Sequence, residues 1–104
     1  MTDQPWPTVQ RLTHWLDENA TTTPEATRLL RILKLQEEVG EVAQAVVGAM
    51  NANPRKGSSH TWTDVEAELC DVIITAMVAL TTLTPDPEQT FHHHLTHVAQ
   101  RSLT

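Results

Sequence analysis

The residues that interrupt helices divide this sequence into four segments. The breaks fall at Trp6-Pro7, at Thr23-Pro24, in the loop from 51 to 59 and at Asp86-Pro87. Proline suits the first position of a helix, because its φ angle is already helical and its missing N–H has no partner there. With three glycines, one Phe and no Tyr, a β-sandwich or barrel is disfavoured. The sequence therefore predicts an all-α, four-helix chain that forms one domain, residues 1–104, around a central antiparallel helical hairpin.

Local signals predict the ends of the first two helices. The first follows Trp6-Pro7 and fades near Asn19, and the second has Thr23 as N-cap and runs towards Met50. Gly40 and Gly48 lie inside the second helix, where each costs about 1 kcal/mol relative to Ala. Two such costs in one helix indicate close approach by another helix.

The third helix is predicted to start at Thr63, with Glu66 as its capping-box partner, and to stop near Leu83. Asp86 is the expected cap of the fourth helix. The third helix is apolar nearly all round, which is typical of a helix buried on nearly all sides. Because a chain this small cannot cover such a helix unaided, we expect it to pair with a second copy of itself.

Five carboxylates form two motifs on the second and third helices. Glu37, Glu38 and Glu41 make E-E-x-x-E, and Glu68 and Asp71 make E-x-x-D. Residues three or four apart are neighbours on a helix, so these like charges converge and either take up protons or bind a cation. Oxygen donors suit hard ions such as Mg²⁺ or Mn²⁺, which leave coordination sites for water and phosphates. For the glutamates of the second helix, a solvated face with a Lys34–Glu38 ion pair is the alternative.

The two motifs resemble those of the MazG-like all-α NTP pyrophosphatases, in their short single-domain form. The resemblance covers Arg31 to Ala45, the loop 53–57 and Glu66 to Ala79, which lie within a span of about half of the chain. It implies Mg²⁺-dependent hydrolysis of a nucleoside triphosphate (NTP or dNTP) to the monophosphate and pyrophosphate, as nucleotide-pool house-cleaning. It also implies a helical-bundle homodimer or homotetramer.

Carried onto this chain, the resemblance assigns the metal ligands and the group that orients water. Glu38, Glu41, Glu68 and Asp71 match the metal-binding positions, and Glu37 is the expected group that orients or deprotonates the attacking water, with Glu38 beside it in the catalytic pair. A non-catalytic helical module that dimerises or binds metal is the alternative function. Hydrolysis of another pyrophosphate-containing small molecule is a third.

Four further residues are candidates for contacts to the nucleotide. Arg55 and Lys56 could grip the triphosphate or belong to a solvated loop, and Lys34 could bind phosphate or pair with Glu38. Trp15 could stack on the base or belong to the core.

The run His92, His93, His94 and His97 is interpreted as a solvated face, because three consecutive helical residues point about 100° apart and cannot share one ion.

Net charge, the N-terminal sequence and the cysteine content limit which partners and which compartment we expect. The net charge of −6 argues against nucleic acid, whose phosphate backbone requires a basic surface. The start MTDQPWPTVQ does not resemble a signal peptide, and the most apolar stretch is too short to span a membrane. Cys70 is the single cysteine, so we expect a reducing cytoplasm.

Overall fold

The computed structural model describes residues 4–52, 54–55 and 57–103. Within these ranges the chain forms four helices and no strand: α1 (Pro5–Glu18), α2 (Pro24–Ala49), α3 (Trp62–Leu83) and α4 (Pro87–Leu103). The prediction of an all-α chain with four helices is therefore confirmed. The predicted ends of α2 are also confirmed, because the Thr23 hydroxyl accepts a hydrogen bond from the Ala26 N–H and Met50 follows the last turn.

The start of α3 differs from the prediction. Thr61, not Thr63, is the N-cap: its hydroxyl accepts from the Asp64 N–H at 3.2 Å, and its own N–H donates to Asp64 Oδ2 at 2.9 Å. The Thr63–Glu66 capping box was wrong. A Thr followed three residues later by an acid occurs at both positions, so local spacing alone cannot choose between them. The earlier start adds Trp62 and Thr63 to the helix.

Helix α3 contacts all three other helices and shares most of its contacts with α2. Arg31 of α2 connects three elements, because its Nη1 donates to Asp17 Oδ1 of α1 at 2.7 Å and to Thr82 Oγ1 of α3 at 3.0 Å. At the other end of α2, Ala45 is completely buried. These contacts fix the position of α3 against the face of α2 that carries the acidic motif.

Gly48 allows the close approach of the segment that leads into α3. A Cβ atom there would collide with the ring of His60 and lie 2.5 Å from the Ser59 hydroxyl. The predicted close approach thus occurs at Gly48, although its partners precede α3 instead of belonging to a helix. At Gly40 a Cβ would meet nothing within 4 Å, so the prediction was wrong there.

The core of a single chain is thin. The buried apolar residues are Val9, Ala45, Val65, Val78 and Ala79, and no large side chain among the described residues is fully buried. The radius of gyration is 16.7 Å, against about 13 Å for a compact domain of 100 residues. Leu69, Ile73 and Ile74 of α3 are 48%, 58% and 41% exposed. Burial of α3 on nearly all sides is not met within one chain, because its neighbours cover only part of its circumference.

Helix α4 packs against the remaining structure near its start. The rings of Trp6 and Phe91 lie 6.0 Å apart between centroids. His92, His93, His94 and His97 are all exposed, as predicted. Among the described helices, none alone has the length and hydropathy to cross a bilayer; α3 and α4 reach that threshold only as a pair bent by 115°.

Candidate metal centre

Three of the predicted carboxylates meet between α2 and α3. Glu38, Glu41 and Glu68 each offer an oxygen, and these oxygens all lie within 4.8 Å of one another. We call these three residues the acidic cluster. Among the described residues it is the one group of three or more side chains with metal-ligating atoms at such distances. Glu38 and Glu41 of the first motif thus converge with Glu68 of the second motif, between the two helices.

Glu38 is the most buried member of the acidic cluster, at 9% exposure. Lys34, one turn earlier on α2, places its Nζ 3.6 Å from Glu38 Oε1 and 3.4 Å from Glu37 Oε2. The pKa of Lys34 lies above its ordinary value, chiefly because of the Glu37 carboxylate, with partial burial opposing and Glu38 adding to the rise. The Lys34–Glu38 ion pair of the alternative interpretation is thus present, and Lys34 pairs with two carboxylates.

Glu41 lies close to Glu68, since their oxygens belong to the acidic cluster. Partial burial raises the pKa of Glu41, the charges of Glu68 and Glu37 raise it further, and Lys34 opposes them. Without a cation, Glu41 therefore holds a proton more readily than an isolated glutamate would.

One carboxylate oxygen of Glu68 is without a hydrogen-bond partner among the described residues. Glu68 Oε2 is buried and accepts no hydrogen bond in the part of the chain that the structure describes. A buried acceptor left unpaired costs free energy, about 1–3 kcal/mol in mutational data. An orphaned oxygen beside two further carboxylates fits a hard divalent cation such as Mg²⁺ or Mn²⁺ in both charge and donor type.

Two predicted site residues lie outside the acidic cluster. The Glu37 side chain is 62% exposed and pairs with Lys34, because adjacent residues on a helix point about 100° apart. Asp71 is exposed. The structure thus brings together three of the four predicted metal ligands.

The predicted nucleotide contacts fall in different places. Trp15 is 60% exposed and, like Lys34, lines a cavity between α1, α2 and α3. Arg55 is exposed in the linker between α2 and α3. Lys56 lies outside the described residues. Phosphate binding by Arg55 and Lys56 stays a prediction.

The cavity beside Trp15, of about 260 Å³, was not anticipated as a unit from the sequence. Its wall is almost wholly apolar and includes Leu12, Leu16, Ile74 and Val78, together with Arg31, Lys34 and Thr75. The sequence signal that could have found it is the apolar spacing of Leu12 and Leu16 on the face of α1 next to Trp15. We call it the Trp15 cavity.

A second apolar cavity of about 600 Å³ lies on the other side of α3. Pro5, Trp6 and Phe91 line it from α1 and α4, and Ile73, Met77 and Leu80 line it from α3. It does not include any member of the acidic cluster. The exposed side chain of Ile73 belongs to this surface, which we call the Ile73 cavity.

Comparison of the chain with known proteins identifies no relative. No family model matches it, and neither a curated protein nor a solved structure matches it. The assignment of function therefore depends on the geometry of the acidic cluster and its surroundings.

Proposed function

We propose that the protein is a Mg²⁺-dependent nucleoside-triphosphate pyrophosphatase of the MazG-like kind, which hydrolyses an NTP or dNTP to the monophosphate and pyrophosphate. The observation that carries this proposal is the convergence of Glu38, Glu41 and Glu68 from two helices, where one buried oxygen of Glu68 has no hydrogen-bond partner among the described residues. Such a group is unfavourable unless protons or a cation neutralise it. In the cytoplasm, the expected compartment, Mg²⁺-bound nucleotides supply a substrate of matching chemistry.

The contacts between α2 and α3 support the antiparallel helical hairpin on which this site depends. Gly48 lies against His60, Glu41 beside Glu68, and Arg31 beside Thr82. Residue numbers fall along α2 as they rise along α3, which is the order of an antiparallel pair. In that arrangement each helix carries part of one cation site.

The residues take different roles in the proposed reaction. Glu38, Glu41 and Glu68 would hold Mg²⁺. Asp71 would offer a fourth carboxylate, either to that ion or to an ion bound by the phosphates of the substrate. When bound, the ion neutralises charge on the polyphosphate and makes a water molecule more acidic. Glu37, exposed beside Glu38, would orient or deprotonate the attacking water. The ammonium group of Lys34 partly neutralises the acidic cluster and would contact a phosphate of the substrate.

The test is a panel of canonical, deoxy and modified triphosphates, assayed for pyrophosphate release with Mg²⁺ or Mn²⁺. We expect turnover of at least one triphosphate, and loss of turnover when EDTA removes the ion. If no member of the panel is hydrolysed with either ion, the proposal fails. Release of orthophosphate in place of pyrophosphate would assign a different reaction to the site.

Single substitutions distinguish residues needed for activity from residues needed only for folding. Glu38→Gln and Glu68→Gln should each lower kcat by more than the roughly 100-fold typical of losing an outer-shell partner, because each removes a direct ligand. Asp71→Asn tests whether the exposed carboxylate takes part. Glu66→Gln on the same helix is the matched control, since Glu66 is exposed outside the acidic cluster. Equal activity of Glu38→Gln and Glu66→Gln would contradict the assignment.

The exposed apolar surface of α3 favours a second candidate, a non-catalytic helical module that dimerises or binds metal for structure alone. The Ile73 cavity is lined by apolar side chains, and no large side chain is fully buried in the described part of the chain. Such exposed apolar surface is typical of an association surface. A thermal-shift experiment separates the two functions. At 100 times its Kd, a non-hydrolysable triphosphate with Mg²⁺ stabilises an enzyme by about 2.7 kcal/mol, whereas a structural module gains nothing from the nucleotide.

A further inference from the structure

Lys34 pairs with one carboxylate inside the acidic cluster and with one outside it. Its Nζ lies 3.6 Å from Oε1 of Glu38, the most buried member of the cluster, and 3.4 Å from Oε2 of Glu37, whose side chain is 62% exposed. The charge of Lys34 also reaches Glu41, because it opposes the rise in the pKa of that carboxyl. One ammonium group thus already interacts with carboxylates that a divalent cation would bind.

Lys34 neutralises the acidic cluster only in part. A single positive charge faces three carboxylates, and Glu68 Oε2 is buried without a hydrogen-bond partner among the described residues. A divalent cation held by Glu38, Glu41 and Glu68 would supply two charges and a partner for that oxygen. Because the ammonium group and the cation repel each other, a closer contact of Lys34 with Glu38 weakens the binding of the cation.

The contacts of Lys34 are loose enough to be exchanged. Charge-assisted hydrogen bonds between nitrogen and oxygen usually measure about 2.7–2.9 Å, and both distances from Lys34 are longer. Its side chain is 52% exposed and ends a flexible stem. Arg31, three residues earlier on α2, is the contrast, because its side chain is 12% exposed and its Nη1 donates to both Asp17 and Thr82. Arg31 is held in place, whereas Lys34 is free to leave Glu38.

We propose, building on the pyrophosphatase function above, that Lys34 is a tethered counter-ion that competes with the divalent cation for Glu38. In the metal-free protein it pairs with Glu38 and stabilises the clustered carboxylates. When the cation binds, the ammonium group leaves Glu38 and remains with Glu37. Lys34 is a positioning residue in this exchange, because it acts on the cation through Glu38. It lowers the affinity of the acidic cluster for the free ion and keeps the metal centre exchangeable.

The first test measures Mn²⁺ affinity at pH 7 without nucleotide, from the electron paramagnetic resonance signal of the free ion. Lys34→Met removes the charge and keeps an unbranched apolar side chain, so it should tighten Mn²⁺ binding by about 10- to 100-fold, the size of effect that groups beside a metal site typically have. Lys34→Arg keeps the charge and should bind Mn²⁺ as weakly as the wild type. Unchanged or weaker binding by Lys34→Met overturns the proposal.

Arg28→Gln is the matched control for the loss of charge. It removes one positive charge from an exposed position of the same helix. Arg28 precedes Glu38 by ten residues, which is about 15 Å along the axis. We expect its Mn²⁺ affinity to equal that of the wild type within about twofold, because screening by salt weakens interactions over such distances. Tightening as large as that of Lys34→Met would assign the effect to net charge alone and overturn the proposal.

Glu37→Gln tests the outer partner of the exchange. Without the Glu37 carboxylate, the ammonium group has Glu38 as its remaining partner in the pair, so Mn²⁺ affinity should fall. The fall should be larger with Lys34 present than in combination with Lys34→Met, and this double-mutant cycle isolates the coupling between the two residues. Equal losses in the two backgrounds would show that Glu37 acts on the ion independently of Lys34, and the exchange would be rejected.

A crystal structure with Mn²⁺ tests the exchange directly. We expect the ion between Glu38, Glu41 and Glu68, with Lys34 Nζ beside Glu37 and more than about 4 Å from Glu38, the usual limit of an ion pair. An ammonium group that stays at 3.6 Å from Glu38 Oε1 while the ion is bound overturns the proposal.

These measurements separate the role of Lys34 from the proposed reaction. If the Mn²⁺ affinities change as expected but no triphosphate is hydrolysed, the pyrophosphatase function fails while the role of Lys34 stands. If triphosphate is hydrolysed but Lys34→Met leaves the Mn²⁺ affinity unchanged, the role of Lys34 alone is rejected. If neither the wild type nor Lys34→Met binds Mn²⁺, the metal centre and the counter-ion proposal both fail.

Discussion

At the scale of single residues, the acidic cluster combines charges that repel one another in the absence of a cation. Glu41 illustrates this, because its raised pKa means that folding disfavours its charged form. A raised pKa in the folded state contributes stability below the ordinary value of 4.5, and this contribution is lost as the pH rises through the folded pKa. At neutral pH the charged Glu41 is therefore a cost to the metal-free fold and a gain only when a cation is bound.

Glu41→Gln should accordingly raise the Tm of the metal-free protein at pH 7 and remove the further stabilisation that Mg²⁺ gives to the wild type. Thermal unfolding with EDTA and with Mg²⁺ measures both effects. Glu66→Gln serves again as control and should leave the response to Mg²⁺ intact. A lower Tm for metal-free Glu41→Gln than for the wild type would show that Glu41 stabilises the fold without a cation.

At the scale of elements, the capping box of α3 makes a pH-dependent contribution. The Thr61 N–H donates to Asp64 and thereby lowers the pKa of that carboxyl below its ordinary value of 3.8. A lowered pKa stabilises the fold above the ordinary value, and this stability is lost as the pH falls through the folded pKa. The position of the cap therefore has a measurable consequence in acid.

Three variants test which capping box operates. Thr61→Ala should lower the free energy of unfolding by about 1 kcal/mol, the usual cost of losing an N-cap, while Thr63→Ala should have a much smaller effect. Asp64→Asn should destabilise the protein at pH 7 and differ less from the wild type at pH 3. Urea unfolding at the two pH values gives these differences. The reverse order of the two threonine variants would restore the start at Thr63.

The two glycines of α2 should respond in opposite directions to the same substitution. Gly40→Ala places a methyl group in open space within a helix and should stabilise the protein by up to about 1 kcal/mol. Gly48→Ala forces apart the Ser59 and His60 side chains, which hydrogen-bond to each other at 2.9 Å, and overpacking of this kind costs about 1–3 kcal/mol. Equal stability of the two variants in urea unfolding would mean that the linker moves freely.

At the scale of the whole molecule, a single chain leaves much of its apolar surface uncovered. The thin core, the radius of gyration of 16.7 Å and the Ile73 cavity together favour association with a second copy. We expect a concentration-dependent dimer or tetramer in sedimentation equilibrium. Ile73→Glu should shift the oligomer towards monomer, because the substitution places a charge in the Ile73 cavity.

Leu103→Glu is the matched control for this experiment. It introduces the same charge at a residue that is 83% exposed at the end of α4, outside the Ile73 cavity. We expect the control to keep the oligomeric state of the wild type. A wild-type protein that stays monomeric at high concentration would contradict the expected association.

What the sequence by itself determined is local. Thr23-Pro24, the loop from 51 to 59 and Asp86-Pro87 punctuate the chain, so the number of helices and most of their ends could be predicted. Capping and proline geometry act within a few residues and need no partner. The same locality explains the error at α3, where two equivalent capping boxes lie two residues apart and only the folded chain shows that the Thr61–Asp64 box forms.

The tertiary structure alone decided which carboxylates meet. Helical periodicity placed Glu38 and Glu41 on one face of α2, and Glu68 and Asp71 on one side of α3, but which of them meet depends on how α3 packs against α2. That packing brings Glu68 to Glu38 and Glu41, whereas Asp71 is exposed. It also joined Trp15 to Lys34 across the Trp15 cavity. Contacts between distant segments depend on how their surfaces fit together, which no local pattern of residues encodes.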